Sequence, residues 1–77
     1  MRVEEIRAKI EQALPGSSVQ VRDTTGGGDH FEALVVASQF AGKSTVEQHR
    51  MVYAILGEAM TGPIHALALR TSAPQST

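Results

Sequence analysis

The chain contains no cysteine and no tryptophan, and only two phenylalanines and one tyrosine among its 77 residues. Without cysteine there is no disulfide, and no zinc or iron–sulfur site can be built from the chain's own thiolates. Neither charge dominates: 7 basic against 8 acidic residues give a net charge of −1. Nucleic-acid-binding domains usually carry a basic stripe, because phosphate neutralisation supplies most of their affinity. Here Arg2, Arg7, Lys9, Arg22, Lys43, Arg50 and Arg70 are scattered along the chain. Long apolar runs are missing too. Runs such as Ala33 to Ala37 and Met51 to Leu56 fall far short of the ~20 residues that span a bilayer. The opening Met-Arg-Val-Glu-Glu has no basic stretch followed by an apolar one, so no signal peptide is expected. A soluble, cytoplasmic chain with no membrane partner is the expectation. What is present, 42% apolar and 19% charged residues, is ordinary globular composition at the length of one small domain.

Periodicity divides the chain into five elements. Val3, Ile6, Ile10 and Leu14 recur at helical spacing, with Glu4, Glu5, Arg7, Lys9 and Glu11 on the other face. Pro15-Gly16 stops that helix, because proline cannot continue the hydrogen-bond ladder. Ser18 to Arg22 alternates polar and apolar residues and reads as a half-buried strand. A mobile connection through Gly26-Gly27-Gly28 leads to a second strand, Phe31 to Ser38, and the two strands form an antiparallel hairpin. Gln39 to Lys43 is a connection. Ser44 and Glu47 make a capping box for a second helix, whose core positions are Val52, Ile55, Leu56 and Ala59. Thr61-Gly62-Pro63 ends it, and Ile64 to Thr71 forms a third strand. Ile64, Ala66 and Ala68 face one way there, and His65, Leu67 and Leu69 the other. The expected fold is α+β, a single domain over residues 1–71 with helices on one face of a three-stranded mixed sheet, followed by a flexible tail over 72–77.

Most chemistry-bearing patterns have a bland reading. Gly42-Lys43-Ser44 mimics the end of a phosphate-binding loop, but the glycine required five positions earlier is Ala37, so it reads as a turn and a helix cap. The glycine run could cradle an anion through its N–H groups, but a strand follows it and not a helix. No nucleophile-elbow pattern is present, and no catalytic residue is assigned. His49, three residues before Val52, is assigned a structural role beside the core stripe. His30 follows the glycine loop and His65 opens the third strand. Two histidines without a third His or Cys do not complete a tetrahedral zinc site, so any metal chemistry needs ligands from another molecule.

The stretches Gly28-Asp29-His30-Phe31-Glu32, Val35 through Ser44, Gln48-His49-Arg50-Met51-Val52-Tyr53 and Gly62 through Thr71 resemble the BolA family, over nearly the whole chain. The resemblance implies a type II KH-like arrangement in the order α-β-β-α-α-β, adding a short third helix near Glu58 to Thr61. It implies a non-enzymatic partner of a monothiol glutaredoxin, sharing a bridging 2Fe–2S cluster with that protein and its glutathione, in cluster trafficking, iron sensing or redox regulation. It places one cluster ligand at His65. A second, in the loop between the first two strands, falls on His30, since the Gly-Gly-Cys-Gly version of that loop is absent. Imidazole can replace thiolate on such a cluster, as in Rieske centres. The free chain is left open between monomer and homodimer. The alternative is a small KH-like nucleic-acid-binding transcriptional regulator using Lys43, Arg50 and the second helix. Against it stand the net charge and the lack of a Gly-x-x-Gly loop between the helices.

Overall fold

The computed structural model describes residues 1–62, 64 and 66–74; Pro63, His65 and residues 75–77 lie outside the described residues. The first helix, α1, is Val3–Ala13. Its start is fixed by Glu5, whose Oε1 accepts the Arg2 N–H at 3.0 Å, and Glu4 and Glu5 set negative charge against the positive end of the helix dipole. Ile6 and Ile10 are fully buried and Leu14, at the C-terminal cap, is 3% exposed. Gly16, just past Pro15, takes φ +81° and turns the chain toward the sheet.

Strand β1 is Ser18–Asp23 and β2 is His30–Val36. They pair antiparallel, from Ser18 opposite Val36 to Asp23 opposite Phe31. Strand β3, Ala66–Ser72, runs parallel to β2, from His30 opposite Ala66 to Val36 opposite Ser72. The order β1-β2-β3 places β2 in the centre. A parallel pair cannot be joined by a tight turn. The crossover is supplied by a 3-10 turn over Ser38–Phe40, helix α2 over Thr45–Leu56 and a second 3-10 turn over Gly57–Thr61. That last turn is the expected short third helix. Helix α1 packs on β1, α2 packs on β3, and the two helices touch each other. The mixed sheet with helices on one face is thus the architecture the sequence predicts.

The core lies between the helices and the sheet. It holds Ile6, Ile10, Leu14, Phe31, Val35, Ala37, Phe40, Val52, Leu56 and Ile64. Along β3, Leu67 and Leu69 turn inward while Ala66 and Ala68 are exposed, as the alternation predicts. Ile64, expected on the face of the two alanines, lies ahead of the strand and is buried in the core at 2% exposure. The strand extends to Ser72, whose carbonyl accepts the Ala37 N–H at 3.0 Å. Ala73 packs against the core, so the first two residues assigned to the tail join the domain. Phe40 is the other departure: the connection expected at Gln39 to Lys43 carries a completely buried aromatic ring. Burying such a ring is worth about 1.5–3 kcal/mol.

Candidate metal centre

The loop from Asp23 to Asp29 decides where His30 sits. Its composition predicts a mobile connection, yet the structure gives it a side chain to fold around. Asp23 Oδ1 accepts the N–H groups of Thr25 at 3.2 Å and Gly26 at 2.9 Å, and its Oδ2 accepts that of Gly28 at 2.9 Å. The Gly27 N–H goes to Thr25 Oγ1 at 3.2 Å. The glycine amides are therefore taken up by the protein's own carboxylate and hydroxyl, which removes the anion-cradle reading. Gly28 has φ +77°, and a Cβ there would lie 3.2 Å from the Met1 carbonyl oxygen, so glycine is required both for its conformation and for this close approach.

The loop closes on β2. The His30 carbonyl accepts from the Thr24 N–H at 2.9 Å and from Thr24 Oγ1 at 3.1 Å. His30 is thus the first residue of a strand and not a loop tip. On its other side the Asp29 carbonyl accepts the Ala66 N–H at 3.2 Å, tying the end of the loop to the start of β3. Ala66 is the Cα partner of His30 and follows His65 directly in sequence. The assignment made for His65 falls on a residue outside the described ones.

The His30 side chain is 44% exposed, and its Nδ1 lies 3.0 Å from Asp29 Oδ1. That nitrogen is itself shielded from solvent, and its approach to Asp29 is a charge contact outside hydrogen-bond geometry. Asp29 Oδ1 in turn accepts from Thr25 Oγ1 at 3.4 Å. A carboxylate charge this close to one ring nitrogen favours the proton there and raises the basicity of the other nitrogen, which is the one left to a metal. Among the described residues no group of three or more His, Cys, Asp or Glu could hold a metal ion. Among the described residues the donor chemistry fits one imidazole position of a shared site.

The remaining sequence-predicted residues lie elsewhere. Lys43 sits in the turn before α2 and Arg50 on α2, both exposed. Between them is Glu47, which completes the expected capping box: its N–H donates to Ser44 Oγ at 3.2 Å and its Oε1 accepts the Ser44 N–H at 3.0 Å. The Glu47 carboxyl titrates below its ordinary range, first through the Ser44 backbone hydrogen bond, then the Ser44 hydroxyl, with Lys43 and Arg50 adding their charge. A carboxylate at this place offsets the two cations as a phosphate-binding patch. His49 is half-buried on α2.

The polar anchor of the core is its neighbour Gln48, only 9% exposed, which sequence reasoning passed over. Its Nε2 donates to the carbonyls of Lys43 at 2.9 Å and Phe40 at 3.4 Å, and its Oε1 accepts from Thr71 Oγ1 at 2.7 Å. One amide thereby joins the turn after β2, helix α2 and strand β3. Its place four residues before Val52, in register with the apolar stripe, was the available signal. Asp23 was missed as well; an Asp just before a glycine-rich turn is the sequence mark of a carboxylate that binds its own backbone.

These features define an α+β domain of one hairpin, one parallel strand and two covering helices, with a histidine beside a carboxylate at the end of the central strand. The BolA-like protein family model matches residues 4–76. BolA-like protein 1 of Mus musculus is 41% identical over 76 residues, covering 90% of this chain and 56% of the mouse protein. A solved structure of a BolA homologue from Coxiella burnetii is 39% identical, with a TM-score of 0.80 over 96% of this chain and 92% of that one. The DNA-binding transcriptional regulator BolA of Escherichia coli K12 is 32% identical over 75 residues, covering 88% of this chain and 71% of that protein. The chain belongs to the BolA-like family. It spans about half the length of the mammalian relatives it matches. Among the described residues no helix is long and apolar enough to cross a membrane.

Proposed function

We propose that this chain is a non-enzymatic partner of a monothiol glutaredoxin and shares a 2Fe–2S cluster with it, through His65 and His30, as cargo to be passed on or sensed. The observation that carries the reading is His30 at the start of β2, with its Nδ1 3.0 Å from a carboxylate oxygen, in a chain without cysteine. Such a chain supplies imidazole ligands only, so the thiolates come from the glutaredoxin and its glutathione. When bound, the cluster supplies one-electron chemistry at a potential that histidine ligation raises. The chain's own part is to present neutral imidazole, to hold it in place through the Asp23-folded loop, and to seat the partner at the β2–β3 end of the sheet. Membership of the BolA-like family supports the reading.

The experiment is co-purification with a monothiol glutaredoxin under anaerobic conditions. A brown heterodimer, with a visible spectrum distinct from that of the glutaredoxin homodimer, is the expected result. A colourless mixture of separate proteins rejects the proposal. The name of the E. coli relative raises nucleic-acid binding as the second reading. Lys43 and Arg50, which that reading would use, share the neighbouring Glu47, and the chain's net charge is −1.

A further inference from the structure

Asp29 is the residue next to His30, and no sequence pattern assigns it a role. It is anchored from three directions. Its carbonyl holds the Ala66 N–H at 3.2 Å, its Oδ1 accepts from Thr25 Oγ1 at 3.4 Å, and the same oxygen lies 3.0 Å from His30 Nδ1. Thr25 is itself fixed, because its N–H is bound by Asp23 at 3.2 Å. The order of support is therefore Asp23 to Thr25 to Asp29 to the imidazole. Neutral imidazole carries one proton, and the nitrogen that keeps it cannot bind metal. A carboxylate facing Nδ1 favours the proton there and directs metal binding to Nε2.

From this we infer that Asp29 is a positioning residue for His30: its charge beside Nδ1 sets the tautomer so that Nε2 is the coordinating nitrogen toward the shared cluster. The inference rests on the proposed role of His30 as a ligand, and it assigns Asp29 no contact with iron. It also explains a glycine-rich loop folded around Asp23: the loop gives Asp29 a fixed carboxylate in place of a flexible one.

The test has two independent arms. In the free chain, at a pH where imidazole is neutral, nitrogen NMR reads the tautomer of His30. The wild type is expected to hold the proton mainly on Nδ1, and Asp29→Ala and Asp29→Asn, which both lack the charge, to lose that preference. In the second arm, 2Fe–2S-loaded monothiol glutaredoxin is titrated with each variant and followed by visible circular dichroism. Asp29→Ala is expected to weaken heterodimer formation about 10–100-fold, the usual cost of losing such a supporting carboxylate. A wild-type tautomer and wild-type titration for Asp29→Ala, with His30→Ala altered, overturns the inference alone. A His30→Ala titration identical to wild type rejects His30 as a ligand, and the NMR arm still decides whether Asp29 sets the tautomer.

Discussion

Replacing Gln48 with alanine removes the one buried polar side chain in the core of the described residues, and the structure gives the cost. Gln48 makes hydrogen bonds of 2.9 and 3.4 Å as donor and one of 2.7 Å as acceptor. The Phe40 carbonyl keeps a second partner, the Lys43 N–H at 3.1 Å. The Lys43 carbonyl and the Thr71 hydroxyl lose the partner that the amide provides. Leaving a buried polar group unsatisfied costs about 1–3 kcal/mol, and two such groups, partly rehydrated, bring the expected loss to about 2–4 kcal/mol. A domain of this length has about 4–12 kcal/mol of total stability, so the substitution consumes a large part of it. At roughly 4–8 °C per kcal/mol for a small domain, the melting temperature should fall by roughly 10–30 °C. The assay is thermal and urea unfolding followed by far-ultraviolet circular dichroism. Thr71→Val should cost less, and the double variant less than the sum, because the two side chains share one bond. His49→Ala, one position away and half-buried, is the control and should lose less than Gln48→Ala. A Gln48→Ala protein that melts within a degree or two of wild type would refute the account of how α2 is fixed to β3.

Three further expectations follow from the geometry. Gly28→Ala should destabilise more than Gly16→Ala: both positions have positive φ, at a cost of about 1–2 kcal/mol, but only Gly28 has backbone atoms 3.2 Å from the added Cβ; equal melting temperatures would contradict this. Ser44→Ala should cost about 1 kcal/mol, and Glu47→Ala, which removes the carboxylate held low chiefly by the Ser44 backbone N–H, should abolish a pH dependence. Glu47 has its folded pKa lowered, so its contribution is complete above the unfolded value and is lost as pH falls through the folded one; the gap between the urea midpoints of wild type and Glu47→Ala should narrow from neutral to acidic pH. Binding to duplex DNA should be weak and should fall steeply with salt, and a sequence-specific footprint at nanomolar protein would oppose it.

Much of the fold is legible in the sequence because local signals agree with one another. The stripe Ile6, Ile10 and Leu14 with its Pro-Gly stop, the Ser44–Glu47 box and the alternation of β1 and β3 all name their elements directly. What was not legible is non-local. Phe40 sits in a turn whose composition is polar, and only the packing of α2 over the sheet turns its ring inward. Gln48 reads as one more polar residue on a helix until Thr71, distant in sequence, arrives opposite it. The glycine loop reads as mobile because composition does not reveal that Asp23 binds three of the backbone amides that follow it. The candidate site divides the same way. His30 was selectable from the chain, but its place at a strand start, its register with Ala66 and its contact with Asp29 required the fold.

The central claim is that histidines of this chain complete a cluster begun by a glutaredoxin, and His65 is the ligand on which the proposal leans most. The most direct measurement is titration of a 2Fe–2S-loaded monothiol glutaredoxin homodimer with wild type and with His65→Ala, followed by visible circular dichroism, with far-ultraviolet spectra to establish that the variant is folded. The account predicts conversion to a distinct heterodimer spectrum with wild type, and no conversion with His65→Ala over the same concentration range. A folded His65→Ala chain that gives the wild-type heterodimer spectrum at similar concentration would contradict it.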